Sequence, residues 1–106
     1  MSWEQKIVDQ YGKEYIFRQL AEEASELCQA SLKMVRAMRR ETPVSEEDAS
    51  AHVLEEIADV EVMLTVLKTA VLNARGLQKI ASTYQKKRDR MIDRMIEGEC
   101  LDSDGK

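Results

Sequence analysis

Two acidic pairs with the same three-residue spacing, Glu23/Glu26 and Glu56/Asp59, are the residues of this chain best suited to chemistry. On an α-helix, residues three apart lie on neighbouring turns of one side, so the members of each pair point the same way. Four converging carboxylates without a counter-charge repel one another and lose solvation, and no Lys or Arg stands between the members of either pair. A divalent cation resolves that conflict. Oxygen donors with no thiol or imidazole among them favour hard ions, Mg²⁺ or Mn²⁺, over zinc. The sole histidine, His52, stands one turn before Glu56 and reads as a surface residue near a helix start rather than a ligand. One histidine also falls short of the two Glu-x-x-His elements of a di-iron bundle. A single acidic pair would carry little information, because runs such as Glu22-Glu23 ordinarily form solvated faces. The repetition carries it.

The elements that must position these residues are helices. Ser2 with Gln5 three residues on predicts a capped first helix ending near Gly12. A second helix is predicted from about Glu14 to Arg40, with Leu20, Ala24, Leu27, Met34, Val35 and Met38 recurring at helical period and Ser31 on the same face. The stretch Glu41-Thr42-Pro43-Val44 breaks it, since Pro43 cannot continue a helix. Ser45 with Asp48 predicts the cap of a third helix, seamed by Ile57, Val60, Leu64, Leu67 and Val71 and closed by Arg75-Gly76. A fourth is predicted from about Leu77 to Ile96, marked by Ile80, Tyr84, Met91 and Met95. The expected fold is all-α, an antiparallel hairpin of two long helices with smaller helices beside it. In projection each acidic pair lies beside its helix's apolar seam.

Composition agrees with that outline. Hydrophobic residues make up 43% and charged residues 34%, with four Gly and one Pro, a balance suited to long helices rather than strands and tight turns. A net charge of −4 argues against non-specific nucleic-acid binding. No apolar run approaches the ~20 residues of a membrane span. Cys28 and Cys100 lie in no metal-binding spacing, and with no secretory apolar stretch at the amino end they read as reduced thiols of a cytoplasmic protein. A chain of 106 residues buries a modest core, so burial against a second copy would help. Residues 1–97 are expected to form one domain and 98–106 a polar, fraying tail.

The segment Leu20-Ala21-Glu22-Glu23-Ala24-Ser25-Glu26-Leu27, followed by Glu55-Glu56-Ile57-Ala58-Asp59-Val60, resembles the EExxE…ExxD signature of the all-α nucleoside triphosphate pyrophosphohydrolases, in particular single-domain MazG-like proteins. The resemblance covers about residues 10 to 75, including the approach from Tyr11-Gly12 to Leu20. It implies a four-helix-type bundle completed by oligomerisation, as a homodimer or a dimer of dimers. It implies Mg²⁺-dependent cleavage of a nucleoside triphosphate to monophosphate and pyrophosphate, with Glu23, Glu26, Glu56 and Asp59 as metal ligands. Glu22 or Glu55 would orient a water or a ligand, or else be a solvated neighbour; Glu22 joins Glu23 and Glu26 as the catalytic candidates. On the fourth helix Lys79, Tyr84, Lys86 and Lys87 would stand in for a phosphate-contacting cluster, although Ala81 occupies the place of an asparagine found in some relatives.

Other residues divide between plain and functional roles. Arg36, Arg39 and Arg40 end the second helix, where basic groups complement the helix dipole. Trp3, Tyr15 and Phe17 are aromatic groups that could stack on a base, though core packing is their commoner fate. The alternative to an enzyme is a non-catalytic helical module that binds metal or nucleotide in a regulatory interaction, and the plainest reading is a coiled-coil scaffold with acidic faces.

Overall fold

The computed structural model describes the backbone of residues 1–101 and the side chains of residues 1–98. Every regular element among them is helical: α1 (Trp3–Tyr11), α2 (Lys13–Met38), α3 (Glu46–Val66), a π-helical continuation (Leu67–Val71) and α4 (Ala74–Leu101). They form two compact units, Met1–Val71 and Leu72–Lys106. No helix among the described residues is long and apolar enough to cross a membrane. The expectation for Cys100 and the greater part of the predicted tail lie outside the described side chains.

Local chemistry sets the helix ends. Ser2 Oγ accepts the Gln5 N–H at 3.1 Å, and Ser45 Oγ accepts the Asp48 N–H at 3.1 Å, so both predicted caps form. Gly12, with φ 87°, turns α1 into α2 in a conformation that a side chain would disfavour. At the far end of α2, the Glu41 N–H bonds the Arg36 carbonyl at 2.8 Å and the Arg40 N–H bonds the Ala37 carbonyl at 3.1 Å. That is the two-bond closure of a Schellman motif, here made by Arg40 at φ 59° instead of by glycine. Pro43 therefore follows a helix that has already stopped.

The end of the third helix differs from the sequence expectation. The chain leaves helical geometry at Leu72-Asn73, and Arg75 and Gly76 lie in the first turn of α4. Asn73 is the reason. Its Oδ1 accepts the Gly76 N–H at 2.8 Å and its carbonyl accepts the Leu77 N–H at 3.0 Å, which caps a new helix where a basic turn and glycine suggested an ending. α4 also continues through Gly98 to Leu101, beyond the predicted stop at Ile96.

Within Met1–Val71, α2 and α3 pack along each other. Ile16, early in α2, shares a buried cluster with Val66, the last residue of α3, and Leu67, the first of the π-helical continuation. The two helices thus run antiparallel, as a short connection requires. α1 closes this end with Val8, and Ile7, Leu20, Met63, Ala70 and Val71 pack around the cluster. Towards the connection the buried residues are Ala30, Ala37 and Ala49, whose small side chains let the helix axes approach.

The inward face of α2 is Ile16, Leu20, Glu23, Leu27, Ala30, Met34 and Ala37, an alternating four-three spacing. Leu20, Leu27 and Met34 are where the sequence predicts them. Ala24, Ser31, Val35 and Met38 are exposed, and on α3 so are Ile57 and Leu64. The α3 seam instead runs through Ala49, His52, Glu56, Asp59, Met63 and Val66, with Val60 and Leu67 at its flank. Apolar residues cover more than one face of α3, so the predicted seam holds at Val60, Leu67 and Val71 and fails at Ile57 and Leu64.

Arg40 carries left-handed strain that glycine would not. Arg40→Gly is expected to raise stability by about 0.5–1 kcal/mol, the ~1–2 kcal/mol of relieved strain less the ~0.4–1 kcal/mol that glycine's unfolded freedom returns. Urea denaturation of the two proteins checks this, and a lower midpoint for the glycine variant would refute it.

Candidate metal centre

Glu23 is an inward position of α2, and Glu56 and Asp59 are inward positions of α3, so hairpin packing alone brings the three together. One carboxylate oxygen from each lies within 4.8 Å of the others. The three acids stand in the seam itself, not beside it as projection suggested, because they replace apolar residues at successive inward positions. Glu23 and Asp59 are half-buried. Glu56 retains only 5% of its accessible surface.

The two oxygens of Glu56 have different surroundings. Oε2 lies 3.1 Å from His52 Nε2, one helical turn away. Oε1 is buried and has no hydrogen-bond partner. A buried carboxylate oxygen without a donor is costly, since it has lost water and received nothing in exchange. An ion bound among the three acids would supply the counter-charge that the Glu56 carboxylate lacks, and an all-oxygen donor set suits a hard divalent cation. The residues present fit such an ion.

Electrostatics lead to the same place. The Glu23 carboxyl is held above its ordinary value by burial first, and then by repulsion from Asp59, Glu26, Glu56 and Glu22. Glu56 is raised by burial, then by Glu26 and Asp59, and His52 partly offsets the rise through its charge and its hydrogen bond. No Lys or Arg carboxylate bridge relieves the cluster among the described residues; their ion pairs, Arg18–Glu14 and Arg88–Asp89, lie elsewhere.

The remaining predicted site residues fall in several places. Glu26 is close enough to raise both Glu23 and Glu56, yet it is exposed and outside the converged three. It flanks the seam and, with Glu22, Ser25 and Gln29, lines a shallow depression on α2. Glu55 is exposed and turned away from the seam by one residue. Arg36, Arg39 and Arg40 sit at the carboxyl end of α2, where basic groups complement the dipole.

Trp3, Tyr15 and Phe17 are exposed, against the expectation of core packing; the buried cluster is built from aliphatic residues, and Tyr15 stacks on Tyr11 with ring centroids 4.6 Å apart. In the second unit, Lys79, Tyr84 and Lys87 share an open face of α4 with Ile80 and Met91. Lys86 and Ala81 are exposed on the same helix. The contact missed from sequence was His52–Glu56, whose signal was the i, i+4 spacing on one helix. No protein-family model matches this chain, and no curated protein or solved structure matches it significantly.

A carboxyl whose folded pKa exceeds its unfolded value holds its proton more tightly in the folded state, so stability falls as pH rises. For the metal-free protein the contribution of Glu23 and Glu56 is therefore unfavourable above their raised pKa values and disappears below the ordinary carboxyl value of 4.5. Glu23→Gln/Glu56→Gln should be more stable than the parent at pH 7, with the gap closing towards pH 4.5. Chemical denaturation across that range, with a chelator present, tests the sign. A gap that widens on acidification contradicts it.

Proposed function

We propose that this protein hydrolyses a nucleoside triphosphate at the α–β phosphoanhydride, giving a nucleoside monophosphate and pyrophosphate in a reaction that depends on Mg²⁺, with Mn²⁺ as a substitute. The observation that carries this reading is that Glu56, whose Oε1 is buried and unpartnered, converges with Glu23 and Asp59. The resemblance of the Glu22–Glu26 and Glu55–Asp59 segments to the pyrophosphohydrolase signature supplies the choice of substrate.

Glu23, Glu56 and Asp59 would hold the cation, and Glu26, exposed beside them, would be the fourth oxygen donor. When bound, such an ion neutralises phosphate charge and activates water. The chain's own acids fix where the triphosphate sits, because unliganded carboxylates repel it and only a cation-loaded site admits it. Water attacks the α-phosphorus, the bridging oxygen departs with pyrophosphate, and the water's proton passes to a carboxylate or to solvent. Glu22, in the same depression as Glu26, orients that water. For Lys79, Tyr84 and Lys86 the ground for proposing phosphate contacts is the resemblance alone.

Oligomerisation belongs to the same reading. Leu54, Ile57 and Leu64 form an exposed apolar stripe on α3, and Leu32, Val35 and Met38 another on α2. So much large apolar surface on a chain of this length suits burial against a second copy.

Two experiments test these proposals. Purified protein with Mg²⁺ should release pyrophosphate from at least one member of a panel of ribo- and deoxyribonucleoside triphosphates. Glu56→Gln should lower the rate by about a hundredfold or more, roughly the ~2.7 kcal/mol within reach of metal activation. Absence of turnover across the panel at high protein concentration would remove the enzymatic reading. Light scattering should give a dimer or tetramer, shifted towards monomer by Ile57→Glu/Leu64→Glu; a monomeric parent would remove the assembly.

A further inference from the structure

We propose that His52 is a positioning residue that confines Glu56 to a single oxygen towards the bound cation, and thereby biases the site towards small divalent ions over Ca²⁺. The inference rests on the cation reading above and adds to it a residue outside the acidic motif. His52 Nε2 lies 3.1 Å from Glu56 Oε2. An ionised carboxylate can only accept, so with a cation bound Nε2–H is the donor. His52 contributes no atom to the group converged within 4.8 Å, which consists of Glu23, Glu56 and Asp59 alone among the described residues. Its contact is therefore with a ligand and not with the ligand site.

The consequence follows from the two Glu56 oxygens. Oε2 is engaged by His52, and Oε1 is buried without a partner. The histidine N–H takes one of the two lone pairs of Oε2 and fixes the direction in which the carboxylate turns, so chelation through both oxygens would have to compete with that bond. Ca²⁺ takes six to eight oxygens and often a bidentate carboxylate, whereas Mg²⁺ holds about six at shorter range and keeps several waters. A Glu56 restricted to one oxygen therefore penalises the larger ion. It also leaves coordination positions for phosphate oxygens and water. The histidine sits on the same helix one turn away, so α3 fixes the restraint without help from any other element.

The test is Mn²⁺ binding to the full chain, followed by electron paramagnetic resonance, with Ca²⁺ as competitor. The parent, His52→Ala and His52→Gln are compared, the last retaining an N–H donor at similar reach. His52→Ala should weaken Mn²⁺ binding roughly tenfold, the scale of a lost partner behind a metal ligand. Ca²⁺ should lose less, so the Ca²⁺/Mn²⁺ preference shifts severalfold towards Ca²⁺, and His52→Gln should return it towards the parent ratio. Metal-free melting of each variant separates this from a folding defect, because a general loosening of the site lowers both affinities together. An unchanged ratio in His52→Ala overturns the role of His52 and leaves the cation site standing. Equal shifts in both variants overturn it as well, since the N–H would then be irrelevant. A parent that binds no Mn²⁺ overturns the cation reading and this inference with it.

Discussion

Three carboxylates stand at inward positions of the α2–α3 seam, where an antiparallel helical pair ordinarily places apolar side chains, and their mutual repulsion is the constraint around which the hairpin is arranged. They cannot separate freely. On one side Ile16, Val66, Leu67 and Val8 form the principal cluster of the core. On the other, Ala30, Ala37 and Ala49 occupy the buried positions towards the connection. Packing at both ends thus holds the acids at a spacing that charge alone would not choose. The raised Glu23 and Glu56 carboxyls are the electrostatic trace of that compromise.

The compromise is uneven among the acids, and the unevenness has chemical meaning. Exposed Glu26 can turn into solvent, so it adds repulsion without sharing the burial. Glu56 has no such freedom. Histidine relieves one of its oxygens and leaves the other without a donor. A purely structural seam would gain from an apolar residue here, because burying an unpaired carboxylate costs more than any single contact it makes. A cation bound there, as proposed, would offset that cost.

Much of this was legible in the residues. Ser2, Gly12 and Ser45 mark helix boundaries through side-chain and backbone chemistry that acts within four residues, and each works as the sequence suggests. The three-residue spacing brings Glu56 and Asp59 into the converged group together, whereas of the other pair only Glu23 enters it. What was not legible depends on choosing between faces. α3 carries Ile57 and Leu64 on one side and Val60, Met63 and Val66 on another, and only packing against α2 decides which is buried. The same choice moved the acids from the edge of the seam into it and left Glu26 at the flank. At Asn73, two competing local signals lay side by side, and the cap prevailed over the basic turn with glycine.

The face that packing rejects has its own consequence. Ile57 follows Glu56 directly and so is turned about 100° around α3 from it, with Leu64 two turns further on. A second copy seated on this stripe would press on α3 beside the acids without displacing them. Such a contact would limit rotation of α3 about its axis, and that rotation is the motion that would carry Glu56 and Asp59 out of register with Glu23. The His52–Glu56 bond cannot resist it, since both residues ride on the same helix. Restraint within α3 and restraint of α3 as a whole are therefore separate requirements. The histidine meets the first, and the α2 seam, extended by any partner on the outer stripe, meets the second.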